Sequence, residues 1–239
     1  MSISQDIEKN ISVILRNIEQ SCAKAARPVS EIKITAVSKK QSVEKMNAYH
    51  AFCIKNSIDV IFGESYVQEF RDKRSTLLKP YESHLIGALQ SNKAKDAVFI
   101  FDLVQSVHSG KLAKELDKEA KKISKRQRIY IQINISNDQA KSGFNVEEGR
   151  NFILNELPTL SNLELHGLMT ITKDYETAEG ARADYRALRI FREQLLSSQP
   201  AFKNALALSM GMSHDYQIAI EEGADIVRIG TALFGTRDI

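Results

Sequence analysis

The sequence predicts a closed parallel (β/α)8 TIM barrel of the α/β class, preceded by an extra N-terminal helix. Three observations lead there. The chain has 239 residues, close to the roughly 250 of such a barrel. Eight short apolar runs alternate with segments of helical period. Neither a Pro/Gly-rich seam nor an internal repeat divides the chain, so residues 1–239 are expected to form one domain. The four prolines, at 28, 80, 158 and 200, fall in or beside connections.

The elements follow in order. Ile3, Ile7, Ile11, Ile14, Ile18 and Cys22 recur at helical spacing, which predicts a leading amphipathic helix within residues 1–27. The apolar runs then span 32–38, 58–64, 81–87, 101–107, 128–135, 163–171, 205–211 and 226–232. Between them, Leu112, Leu116, Ala120 and Ile123 share the stripe of a helix from Lys111 to Gln127, and another helix runs from about Glu179 to Ser197. In the fifth run Ile129, Ile131, Ile133 and Ile135 share one face and Tyr130, Gln132 and Asn134 the other. The isoleucines should meet the outer helices. The polar face should point inward, to a ligand or to a hydrogen-bonded network.

Composition limits the function classes. With 43% hydrophobic and 26% charged residues and a net charge of +3, the chain is an ordinary globular protein with no need of a nucleic-acid partner. The densest basic run, 121–128, ends an amphipathic helix and reads as a solvated face. Cys22 and Cys53 form no CxxC or metal pattern, so two reduced thiols in a cytoplasmic protein are expected. Asp6, Glu8, Lys9 and Arg16 interrupt any signal-peptide core, and no apolar stretch approaches a membrane span. His84 and His166 lie in strands without a third ligand, which favours core or pocket-lining histidines over a metal site. "SGKL" at 109–112 lacks P-loop spacing and reads as a helix start.

Candidate chemistry gathers where the strands end, since barrels of this type place their sites at the C-terminal face and hold phosphate after strands 7 and 8. Strand 7 runs into "SMGMS", with Ser209, Gly211 and Ser213, and strand 8 ends in "RIGTALFG", with Gly230 and Thr231 at the turn into a last helix. Such a turn offers backbone N–H groups to an anion. Arg228 lies two residues before Gly230, on the side opposite Val227 and Ile229, so it faces the barrel interior and needs an acceptor. Glu64 or Asp225 could be a structural partner; a ligand atom is the functional alternative. Lys39 ends strand 1, which closes the barrel beside strand 8, while Lys40 points away. An amine, an anion cradle and an inward arginine are the set that pyridoxal 5′-phosphate (PLP) requires.

The segments "AVSK" (36–39), "FGESYVQE" (62–69), "HLIGALQSNK" (84–93), "QINIS" (132–136) with "KSG" (141–143), "GLMTI" (167–171), "SMGMSHD" (209–215) and "VRIGTALFG" (227–235) occur in one order along the chain. Together they resemble the pyridoxal phosphate homeostasis protein family, barrels similar to the N-terminal domain of alanine racemase. The resemblance implies a PLP-binding protein that controls the free cofactor pool, with Lys39 carrying the Schiff base. It also implies that Arg228 faces the pyridine nitrogen, and that Ser209, Gly211, Gly230 and Thr231 lie around the phosphate. Ser65 replaces a usual asparagine, Ala88 a frequent proline, and His108 and His214 frequent acidic residues. Implied partners are PLP and recipient apoenzymes, with the protein a monomer or weak homodimer. Lys141, on the loop after strand 5, is either a solvated lysine or a second amine at the mouth.

Two other readings are weighed. A PLP-dependent amino-acid racemase needs an acid/base on each face of the substrate α-carbon. In the racemases this barrel resembles, the second is a tyrosine from an added β-domain. Seven residues follow the eighth run, and neither Tyr66 nor Tyr216 is marked as a base, so efficient racemisation is not expected. A Schiff-base aldolase without cofactor comes third.

Overall fold

The leading helix forms where the isoleucine spacing places it. In the computed structural model, which describes residues 2–199, 202 and 206–236, α1 spans Ile3–Lys24. Ser2 starts it with a capping box: its Oγ accepts from the Gln5 N–H at 3.3 Å, and Gln5 Oε1 accepts from the Ser2 N–H at 3.0 Å. Ile7, Ile11, Ile14, Ile18 and Cys22 are all buried, and each buried isoleucine contributes roughly 1.5–3 kcal/mol.

Eight parallel strands close into a barrel in chain order: β1 Lys33–Val37, β2 Ile61–Glu64, β3 Glu82–Leu85, β4 Leu103–Val107, β5 Gln127–Gln132, β6 Leu163–Met169, β7 Ala207–Met212 and β8 Ile226–Ile229. Strand β1 pairs with β8 through Thr35 opposite Arg228 and Ala36 opposite Ile229, so the chain seals itself beside Lys39. The connecting helices are α2 Val43–Lys55, α3 Val67–Lys73, α4 Ala94–Ile100, α5 Gly110–Lys122, α6 Val146–Asn151, α7 Arg182–Ser198, α8 Tyr216–Glu221 and α9 Thr231–Phe234. Helix α5 begins at its N-cap Ser109, as the "SGKL" reading expects. Ala205, the first residue of the predicted seventh run, lies outside the described residues.

Helix α1 packs on α2, α8 and α9. Asn10 Nδ2 donates to the Leu233 carbonyl at 2.9 Å and Asn17 Nδ2 to the Tyr216 hydroxyl at 2.8 Å. The extra helix therefore braces the two short helices that follow β7 and β8, where the anion turn is expected.

The isoleucine face of β5 behaves as predicted. Ile129, Ile131 and Ile133 are fully buried in the main core between sheet and helices. The opposite face divides its work. Tyr130 joins Leu103, Met169 and Ile226 in a separate apolar cluster inside the barrel. Gln132 and Asn134 grip the loop after β5: Gln132 Nε2 donates to the Ser142 carbonyl at 2.7 Å, and Asn134 Nδ2 to the Asp138 and Lys141 carbonyls at 2.9 and 3.2 Å.

The interior has no room to spare at Gly167 of β6. A Cβ there would sit 2.3 Å from the Ala207 carbonyl oxygen and 2.9 Å from the Tyr130 ring. The carbonyl belongs to the neighbouring strand and cannot step aside. Gly167→Ala is expected to cost about 2–3 kcal/mol in urea unfolding, with an unchanged m-value if the loss is pure overpacking. A cost near zero is the result that contradicts this packing.

Candidate functional site

A cleft of about 630 Å³ opens at the C-terminal face of the barrel. Lys39, Arg228, Gly230 and Thr231 all line it, joined by Tyr66, Gln132, Lys141, Ser213 and His214. This size suits a cofactor-sized ligand.

Lys39 arrives there because β1 stops two residues earlier and the chain turns at once, the Gln41 N–H bonding back to the Ser38 carbonyl at 3.0 Å. Lys40 takes a left-handed φ of 58° and gives its N–H to Glu69 Oε1 at 2.5 Å, so its exposed side chain lies outside the cleft. The two adjacent lysines part as expected, but through the turn after β1 rather than by strand alternation.

Arg228 is buried, 4% exposed, at the floor of the cleft. Its Nη1 donates to Ser209 Oγ at 2.9 Å and its Nη2 to the Thr170 carbonyl at 2.7 Å. Neither structural partner suggested by the sequence is used. Glu64 instead accepts from Ser38, and Asp225 serves Arg27, Arg192 and the Leu208 N–H. Burial pushes the guanidinium pKa down from its ordinary value, against the nearby Tyr185 and Asp215, but an arginine remains a donor with nothing to accept a proton.

The anion turn is built from backbone. The N–H groups of Gly230 and Ala232 converge on one oxygen, Ser213 Oγ, at 3.2 and 3.3 Å. Helix α9, which follows, has only four residues, so these amides rather than a long dipole supply the positive field. The same pair of donors fits a phosphate oxygen. With the amine at the mouth and the guanidinium at the floor, the donor set matches PLP at its three polar ends.

Two predicted phosphate neighbours are placed elsewhere. Ser209 is fully buried beneath Arg228 and does not line the cleft. Gly211 backs onto α8: a Cβ there would lie 2.5 Å from the Ala219 Cβ, and its φ is +88°. Small residues at this strand end therefore answer to the helix as well as to a ligand. Ser213, which lines the cleft beside the adjacent His214, is the side chain that meets the turn amides. Its signal was present in "SMGMS" beside its two small neighbours.

Glu64 lies one strand from Lys39. Its Oε1 accepts from Ser38 Oγ at 2.7 Å, while Oε2 has no hydrogen-bond partner among the described residues. Burial pushes its carboxyl up to about 7, opposed by the Ser38 hydrogen bond and by Lys73 and Lys39. The folded value lies above the ordinary 4.5, so the native state holds this proton more tightly than the unfolded chain. The resulting stability is fully present below 4.5 and is lost as pH rises through about 7. Glu64→Gln should flatten the stability profile across that window and leave the variant about 2 kcal/mol more stable than the parent near pH 8. Parallel pH profiles for the two proteins by urea unfolding would rule this out.

The family model for the alanine racemase N-terminal domain matches residues 10–238. The chain belongs to that family. Curated relatives named pyridoxal phosphate homeostasis protein include those of Pasteurella multocida, 38% identical over 97% of this chain and 98% of the relative, and Aquifex aeolicus, 38% identical over 96% and 97%. Among solved structures, PipY of Synechococcus elongatus with PLP bound has a TM-score of 0.81 at 31% identity, covering 96% of this chain and all of that one. Alanine racemase of Clostridium difficile has a TM-score of 0.70 at 18% identity over 97% of this chain and 57% of its own, which shows a shared barrel and no more.

Of the tyrosines weighed as bases, Tyr66 lines the cleft at its rim, half exposed. Tyr216 is buried against α1, bonded to Asn17, and does not line it. His84 proves to be an interior residue and His166 pairs with Glu164 at 3.0 Å at the far mouth. Among the described residues no group of three potential ligands could hold a metal, and no helix is long and apolar enough to cross a membrane.

Proposed function

We propose that the protein binds PLP in this cleft and controls its free pool by holding and releasing it, without a reaction of its own. The observation that carries the reading is that Lys39, Arg228, Gly230 and Ser213 line one cleft, with the Gly230 and Ala232 amides meeting at Ser213 Oγ. Lys39 would hold the cofactor through its side-chain amine, as a Schiff base to the aldehyde carbon. Gly230, Thr231 and the turn amides hold the phosphate, and Arg228 donates to the pyridine nitrogen from the floor. Ser209 acts beneath Arg228, and Gly211 shapes the turn. The names of the curated relatives and the PLP-bound PipY support the same reading.

We infer a monomer or weak homodimer that hands PLP to apoenzymes. Cys22 and Cys53 are buried free thiols, in keeping with the cytoplasm. Burial pushes Cys53 up to about 11, so it is a packing residue rather than a reactive one. The domain reading follows: residues 1–239 act as one PLP-binding unit.

The test is a spectral titration of the purified protein with PLP, followed by assays with free amino acids. A saturable yellow band with no amino-acid turnover is expected. A protein that stays colourless through the titration overturns the reading and returns the cofactor-free aldolase.

A further inference from the structure

A continuous line of buried polar groups runs down the barrel from the floor of the cleft to its opposite mouth. Arg228 Nη1 lies 2.9 Å from Ser209 Oγ, Ser209 Oγ 2.6 Å from Gln105 Oε1, Gln105 Nε2 2.8 Å from His84 Nδ1, and His84 Nε2 2.9 Å from Glu82 Oε1. Ser209 and Gln105 are fully buried and His84 is 2% exposed. Nothing in the binding of PLP described above uses Gln105, His84 or Glu82.

The direction of every link follows from Arg228, which can only donate. Ser209 accepts from it and turns its single proton to Gln105 Oε1. The Gln105 amide then presents N–H to His84 Nδ1, which must be the bare ring nitrogen. The ring proton therefore sits on Nε2 and points at the Glu82 carboxylate. Glu82 also accepts from Arg128 at 2.8 Å. Its carboxyl is held down at about 2, the His84 hydrogen bond being the largest cause. An anion thus ends the chain at the mouth lined by Arg128, His166 and Asp225.

Each link removes a degenerate state from the one above it. A serine hydroxyl alone could rotate and turn its proton toward Arg228. Gln105 Oε1 stops that rotation. A glutamine amide alone could flip by half a turn; the His84 lone pair stops the flip, because a flipped amide would set oxygen against nitrogen lone pair. Imidazole alone could exchange tautomers, and Glu82 selects the one with Nε2–H. We propose that Gln105 and His84 are positioning residues that hold the Arg228 guanidinium at the floor of the cleft, through one-way hydrogen bonds anchored on Glu82. Hydrogen bonds aligned in one sense also polarise one another, so the Arg228 donor is better fixed than its first partner alone would make it. The inference rests on the reading of Arg228 as the contact of the PLP ring nitrogen.

The test uses the full chain and PLP labelled with ¹⁵N in the pyridine ring. Gln105→Leu should weaken PLP binding about three- to tenfold and move the ring-nitrogen shift, as loss of one buried link predicts. Gln105→Glu, which still accepts from Ser209, should restore both to near the parent values. In the ligand-free parent, histidine ¹⁵N shifts should report His84 as the Nε2–H tautomer, and Gln105→Glu, which sets an acceptor against Nδ1, should change that pattern. Should Gln105→Leu fold poorly, the pair at the open mouth decides: Glu82→Leu should reproduce the weaker binding and Glu82→Gln should not. Binding within twofold of the parent and an unmoved ring-nitrogen shift in Gln105→Leu, or in Glu82→Leu where that variant replaces it, overturns the proposal. An Arg228→Lys control separates the two levels. If it too leaves the ring-nitrogen shift unmoved, the reading of the ring contact fails; if it moves the shift and the chain variants do not, only the chain fails.

Discussion

Lys39→Ala is expected to abolish the yellow PLP band while leaving the far-UV circular dichroism of the barrel nearly unchanged. The chemistry requires an amine on a carbon chain that reaches the aldehyde, and alanine supplies none. The fold does not require it. Lys39 follows the end of β1 and is half-buried at the mouth, outside the main core cluster. Borohydride reduction of the loaded parent followed by peptide mass mapping should put the pyridoxyl group on Lys39. Two neighbours make the assignment a strict one. Lys40 is adjacent in sequence, but its left-handed backbone carries it outward. Lys141 lines the same cleft, 3.8 Å from Asp174 Oδ2, on a loop gripped by Gln132 and Asn134. Label found on Lys141 or Lys40 and absent from Lys39 would overturn the assignment.

That Lys39 could be found in the sequence follows from its place at the end of the first apolar run, and the reach of such patterns marks what was legible. Short apolar runs placed all eight strands, and period-two alternation turned Arg228 inward opposite Val227 and Ile229, which are buried in the outer core. It could not choose Arg228's partners. Ser209 reaches it from the neighbouring β7 and the Thr170 carbonyl from just past the end of β6, whereas Glu64 and Asp225 were candidates by charge alone. Edges also escaped it. The eighth run ends as a strand at Ile229, because Gly230 leaves the extended region and Thr231 opens α9. The second begins at Ile61, three residues later than its apolar start, because residues before that make no ladder pairs with β1 or β3. The polar chain below Arg228 was invisible for a related reason. Gln105, His84 and Glu82 look like ordinary strand residues until closure of the barrel aligns them.

The protein should not exchange the α-proton of L- or D-alanine in deuterated water above the rate of free PLP, followed by loss of the proton signal in NMR. Racemisation needs an acid/base on each face of the α-carbon. Lys39, released from the cofactor, can serve one. On the other, Tyr216 is excluded by position: it is buried against α1 with Asn17 on its hydroxyl, away from the cleft. Tyr66 lines the rim but stands half in solvent at the start of α3, where no hydrogen bond among the described residues holds its hydroxyl toward the cleft. Carbanion stabilisation, the chemistry PLP supplies, is strongest when its ring nitrogen is protonated. In the proposed binding mode Arg228 withholds that proton. A guanidinium cannot take the role of a carboxylate acceptor, and its two hydrogen bonds to Ser209 and Thr170 keep it donating from the floor. A poorly placed tyrosine and a weakened electron sink multiply, since each raises the same barrier. Inversion of alanine at ordinary enzyme turnover, about 1–10³ per second, would overturn the homeostasis reading and make this barrel a racemase.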